Sequence, residues 1–167
     1  MARYSATTSP ITTGAGQADT TALTSNTYIG ILGGTSTMRL NISEVYAGGE
    51  ATAASAPQIL VFARNSTIAT TPAAGGTRNA ATDAASTAPG TLATVYGSAA
   101  TGPQRSSTLH LLHLSFNAYG GIVRWQARQG EEISMVGNAA TGGDSTLSPY
   151  TGNTSGNISA HVLYELV

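Results

Sequence analysis

The chain has 167 residues, of which only 9% are charged, and a formal net charge of −1 from eight acids and seven bases, every base being arginine. That length makes one domain able to bury a sizeable core. The scarcity of positive charge excludes a protein that holds nucleic acid by neutralising its phosphates. Cysteine is absent, which excludes disulfides, cysteine-ligated metals and thiol catalysis. No apolar run approaches the roughly 18 residues of a membrane-crossing helix, so no membrane partner is expected. The opening Met1-Ala2-Arg3-Tyr4-Ser5 has no signal-peptide apolar stretch.

Ala, Gly, Ser and Thr make up more than half of the residues, and no window carries an apolar stripe at helical spacing. Short strands between Gly/Ser/Thr/Asn/Pro loops remain, which predicts an all-β, antiparallel β-sandwich. Residues 1–27 have few large apolar groups and no periodicity, and read as an extended N-terminal arm. The body, residues 28–167, opens with the strand Tyr28–Leu32. Thr37–Tyr46 alternates, with Met38, Leu40 and Ile42 on one face and Arg39, Asn41 and Ser43 on the other. Gln58–Arg64 is apolar on both faces, as a central strand is.

Residues 65–106 are rich in Pro, Ala, Gly, Ser and Thr; within them only Leu92–Tyr96 reads as a strand, and 70–90 read as a surface excursion. Strong patterns return at Ser107–Phe116 and Gly121–Arg128, and Asn117-Ala118-Tyr119-Gly120-Gly121 between them predicts a hairpin. A turn at Gln129–Glu132 leads to the strand Ile133–Val136. A Gly/Ser/Thr/Asn-rich loop over 137–157 precedes the closing strand Asn157–Val167. That gives about eight strands, the number in a jelly roll.

Few residues carry candidate chemistry. His110 and His113 form an H-x-x-H pair, but residues three apart on a strand face opposite ways, which predicts that they do not share an ion. Glu131-Glu132 is the only acidic pair and sits in a turn, unlike a catalytic dyad. There is no G-x-S-x-G, phosphate-binding loop or H-E-x-x-H. The expectation is a protein that is not an enzyme, with no cofactor and no metal. Val123, Trp125 and Ala127 share one strand face, so Trp125 is expected in the core. The opposite face carries Arg124 and Arg128, which suit charge-assisted contacts to an acidic partner. With Arg3 and Tyr4 of the arm, they are the candidate partner-binding residues.

The Gly120-Gly121-x-x-Arg124-Trp125 strand, the Gln129-Gly130-Glu131-Glu132-Ile133 turn and the closing Gly156-Asn157-Ile158-Ser159-Ala160 strand resemble those of small structural proteins of tailed bacteriophages. In particular they are similar to capsid decoration, or cement, proteins with jelly-roll or tumour-necrosis-factor-like bodies. The resemblance implies a homotrimer on the outer surface of the virion, made in the host cytoplasm, that binds between major capsid protein subunits. An arm extending onto the shell is also implied, and no catalytic residues. The alternative reading is a carbohydrate- or receptor-binding module, with Trp125, Tyr119 or Tyr150 as a sugar platform.

Overall fold

The computed structural model describes residues 3–7, 11–12, 28–31, 39–50, 57–67, 79–81, 93–96, 104–136, 145–149 and 157–167. Among these residues the chain is all strand and turn. The strands are β1 (Arg3–Thr7), β2 (Ile11–Thr12), β3 (Tyr28–Ile31), β4 (Arg39–Glu50), β5 (Pro57–Thr67), β6 (Asn79–Ala81), β7 (Ala93–Tyr96), β8 (Gln104–Asn117), β9 (Tyr119–Gln126), β10 (Ile133–Val136), β11 (Ser145–Pro149) and β12 (Asn157–Leu166). Every described pairing is antiparallel. One sheet runs β10-β4-β12-β1-β6, with β9 also on β4 and β2 on β12; the other runs β7-β3-β11-β5-β8.

The two sheets share one core. Leu40, Ile42, Val45 and Ala47 of β4 and Ala160, Val162 and Tyr164 of β12 face Leu60 and Phe62 of β5 and Leu114 of β8. Burying a side chain such as Phe62 contributes about 1.5–3 kcal/mol. The expectation that Gln58–Arg64 is apolar on both faces holds. Val61 and Ala63, alternating with the core residues Leu60 and Phe62, are also fully buried, and β5 lies between β11 and β8.

Two expectations change. The first concerns the arm. Arg3–Thr7 is not an extension but an interior strand, paired with β12 on one side and β6 on the other. Its alternation is too short to read as a pattern, yet Tyr4 is buried and stacks on Tyr164, ring centroids 5.6 Å apart. Ile11 and Thr12 also pair with β12, while residues 13–27 lie outside the described residues.

The second concerns the expected hairpin at 117–121. β8 pairs with β5 in one sheet and β9 with β4 in the other, so the chain crosses between sheets at Ala118 instead of folding back. Ala118 is completely buried at this corner, and Asn117 Oδ1 accepts the Tyr119 N–H at 2.9 Å, the local side-chain-to-backbone bond that favours Asn in turns. Close approach explains the glycines around it. A Cβ on Gly49 would overlap the Ala118 backbone, and one on Gly121 would overlap the Asn117 carbonyl.

Two outcomes follow. Gly49→Ala should destabilise the fold by about 1–3 kcal/mol, the usual penalty of overpacking, seen as a lower urea midpoint at unchanged slope. Burial, and then the neighbouring Tyr4, hold the Tyr164 phenol well above its ordinary value. The unfolded chain therefore releases this proton near pH 10 while the folded chain keeps it, so stability falls as pH rises through about 10. Tyr164→Phe should lessen that alkaline loss, measured as the urea midpoint at about pH 9 against about pH 11.

Candidate functional site

The outward face of the seven-stranded sheet carries two ion pairs, Arg124–Glu44 and Arg3–Glu165. Its layout depends on β4. Strict alternation from Ile42 would send Glu44 into the core and Val45 outward. Instead the register skips one residue, pairing Glu44 with Leu163 but Ile42 with Tyr164, so that Ser43 is the extra residue of a β-bulge. After it, Val45 and Ala47 point inward, while Glu44 and Tyr46 lie opposite Gln126 and Arg124 of β9. The bulge also marks where β9 gives way to β10 along the same edge of β4: the Ala127 N–H donates to the Ser43 carbonyl at 2.9 Å.

Cross-strand neighbours then assemble a cluster. Arg124 donates to the largely buried Glu44 carboxylate, and its guanidinium lies 5.1 Å from the centre of the Tyr46 ring, within cation–π range. Tyr46 meets His161 of β12 edge-on at 5.7 Å. Hydrogen bonding to Glu44 holds the Arg124 proton more firmly than usual. Desolvation, followed by the bond to Glu44, raises the Tyr46 phenol. Burial pushes the His161 imidazole below its ordinary value, the Glu44 charge opposing in part.

Beside this cluster is a cavity of about 650 Å³ lined by Arg3, Glu44, Gln126, Gln129, Glu132 and Glu165 among others. Arg3 pairs with Glu165 across the β1–β12 ladder. The Ser134 hydroxyl donates to Asn41 Oδ1 at 2.6 Å, and Arg64, reaching from the other sheet, donates to the Ser134 carbonyl at 2.8 Å. The lining combines three carboxylates, three amides and the Arg3 guanidinium with the apolar atoms of Ala127, Leu163 and Tyr164.

The four expected partner-binding residues are not alike. Arg3 is exposed but paired with Glu165. Tyr4 is a core ring, which corrects its assignment to a free arm. Arg124 projects from the expected face, opposite Val123 and Trp125, but is engaged by Glu44 and Tyr46. Arg128 does not continue that strand face. β9 ends at Gln126, and Arg128 lies exposed in the following turn, where its carbonyl accepts the Glu131 N–H at 2.9 Å. Trp125 packs against the core as expected; Tyr119 is exposed, and Tyr150 lies outside the described residues.

The histidine geometry corrects a second expectation. His110 and His113 do not face opposite ways: His110 Nδ1 lies 2.7 Å from His113 Nε2. The β5–β8 register skips Leu111, pairing Leu112 with Phe62 but His110 with Ala63, and this bulge puts both rings on one face. Among the described residues no group of three or more His, Cys, Asp or Glu side chains is placed to hold a metal, and no helix is long and apolar enough to cross a membrane. No family model, curated protein or solved structure matches the chain.

The His161 environment has a pH signature. Because its folded form takes up a proton less readily than the unfolded chain, stability rises with pH and is lost as pH falls below about 6.5. His161→Gln should show a smaller drop in urea midpoint than the wild type between about pH 7.5 and pH 5.

Proposed function

We propose that this chain is a non-enzymatic structural subunit of a bacteriophage head, a decoration protein that sits between major capsid protein subunits. On this reading the two antiparallel sheets form a jelly-roll-like body that acts as a homotrimer on the outer virion surface. The observation that carries it is an outer surface with large apolar side chains on a chain almost without charge. Ile122 is 81% exposed, Leu109 55% and Leu111 38%, with Tyr119 beside the sheet-crossing corner. Such side chains are stable in water only at some cost, and burial in an assembly removes it. With 9% charged residues, copies packed densely on one particle repel one another little. The resemblance of the Gly120–Trp125 strand and its neighbours to decoration proteins agrees with this.

The second reading, a carbohydrate- or receptor-binding module, draws on the cavity lined by Glu44, Gln126, Gln129 and Glu132. Carboxylates and amides are the groups that pair with sugar hydroxyls. Trp125 does not serve that reading, since its ring packs on the core.

The test uses point variants, because deleting residues 1–27 would remove β1 from between β12 and β6. Mixed with phage heads that lack their decoration protein, the chain should bind at fixed stoichiometry and raise the temperature at which the heads disrupt. Ile122→Asp should weaken binding about tenfold or more, as expected for a central apolar contact, without lowering the melting temperature of the free protein. A chain that ignores heads but binds glycans would overturn the decoration reading in favour of the second. Light scattering addresses the assembly separately, and a monomer both in solution and on the particle would overturn the trimer.

A further inference from the structure

We propose that the cavity on the outer face of the seven-stranded sheet binds a neutral disaccharide or short oligosaccharide, held by Asn41, Gln126, Gln129 and Glu132. This assignment rests on the second reading above and does not depend on binding to heads.

The register builds the floor, because directly opposed residues of a ladder share a face. Arg3, Glu165, Asn41 and Ser134 form one row across β1, β12, β4 and β10. Leu163, Glu44 and Gln126 form the next across β12, β4 and β9, with the surplus Ser43 between the two rows. The turn from Ala127 to Glu132 makes the wall. The Ala127 N–H anchors it to the Ser43 carbonyl, the Glu131 N–H closes it on the Arg128 carbonyl, and the Gly130 N–H donates to Glu132 Oε1 at 3.1 Å. Floor and wall enclose about 650 Å³, inside the range of about 300–1,000 Å³ of small-molecule sites. Because these bonds exist before any ligand arrives, binding has little of the wall left to order.

The groups still open decide the ligand. Glu44 is engaged by Arg124 and Glu165 by Arg3, so those pairs serve as frame. The Ser134 hydroxyl takes up Asn41 Oδ1, which leaves the two N–H donors of that amide. Gly130 takes one oxygen of Glu132, and the second can accept. Gln126 and Gln129 are exposed, and each amide offers both a donor and an acceptor. Such a mixture matches sugar hydroxyls, which donate and accept alike. Ala127 and Leu163 add apolar atoms to the same lining, against which the C–H face of a sugar ring can lie. With Glu44 and Glu165 paired, the open charge is the Glu132 carboxylate, which repels acidic sugars. A peptide finds no strand edge here, since β4 and β12 are paired on both sides.

The experiment is saturation-transfer NMR of the full chain with maltose, cellobiose, lactose and N,N′-diacetylchitobiose, and with 3′-sialyllactose as the acidic probe. The expected result is saturable binding of at least one of the four neutral sugars and none of 3′-sialyllactose. Gln126→Ala and Gln129→Ala should each weaken that binding about tenfold, the effect of losing one polar contact, while His113→Gln on the other sheet leaves it unchanged. Both glutamines are exposed, so their variants test the site without disturbing packing, and circular dichroism confirms that each is folded. No saturable binding of any neutral sugar, saturable binding of 3′-sialyllactose, or binding that survives both glutamine substitutions would overturn the assignment. Heads titrated with the wild type in parallel keep the two readings apart, since failure of either result leaves the other standing.

Discussion

The constraint on which the rest of this molecule depends is the period of two in an antiparallel ladder, together with two of the places where an extra residue inverts it, Ser43 and Leu111. A strand that alternates without interruption commits every side chain to a face as soon as one is fixed. In β4 that commitment would be ruinous after Ile42. Glu44 would enter an apolar core, where an unpaired carboxylate costs several kcal/mol, and Val45 would face water. The surplus Ser43 exchanges the two. It thereby sends Val45 and Ala47 to the core and Glu44 and Tyr46 to the outer face, and its carbonyl receives the chain where β9 ends and the turn to β10 begins. One residue settles core composition, outer-face chemistry and the order of strands along an edge.

The second organising element is the crossing at Ala118. A hairpin there would have kept β8 and β9 in one sheet. Crossing places Leu112, Leu114 and Phe116 on one side of the core and Val123 and Trp125 on another. The corner is tight enough that its neighbours must be Gly49 and Gly121. Charge contributes little by comparison. The Arg3–Glu165 pair is largely exposed on its arginine side, and exposed pairs are typically worth 1 kcal/mol or less. The fold therefore rests on backbone pairing and apolar burial, in keeping with a chain whose small residues leave the strands free to approach closely.

How much of this was legible depends on side-chain size. The eight strands that carry large apolar residues, β3, β4, β5, β7, β8, β9, β10 and β12, stand out in the sequence within a few positions. The inward and outward faces of Ile122–Ala127 are readable from alternation alone. Four others, β1, β2, β6 and β11, lie in Ala/Ser/Thr-rich stretches that look like loops. Yet β1 and β11 are interior strands of their sheets, held chiefly by partners no local pattern can reveal. Tyr4 shows the difficulty, since a lone ring in a polar stretch becomes core only because Tyr164 lies across the ladder from it. The Arg124 cluster was half legible: its face follows from alternation, but Glu44 as its counter-ion required the bulge.

The bulges at Ser43 and Leu111 leave a trace in the sequence, and it is the same trace. Leu109-His110-Leu111 and Leu112-His113-Leu114 each alternate, but the Leu111-Leu112 doublet sets them out of phase. Ile42 and Val45 likewise bracket the polar doublet Ser43-Glu44. A doublet of one character inside an otherwise alternating strand marks the point where the phase resets, and side chains three apart across it fall on one face. That is why the rule that separates His110 from His113 on a regular strand brings them together here. The reset re-aims polar side chains outward, onto faces that core packing does not require. Such faces are where a stable sheet can carry a cluster like Glu44–Arg124–Tyr46 or His110–His113 without weakening the core beneath it.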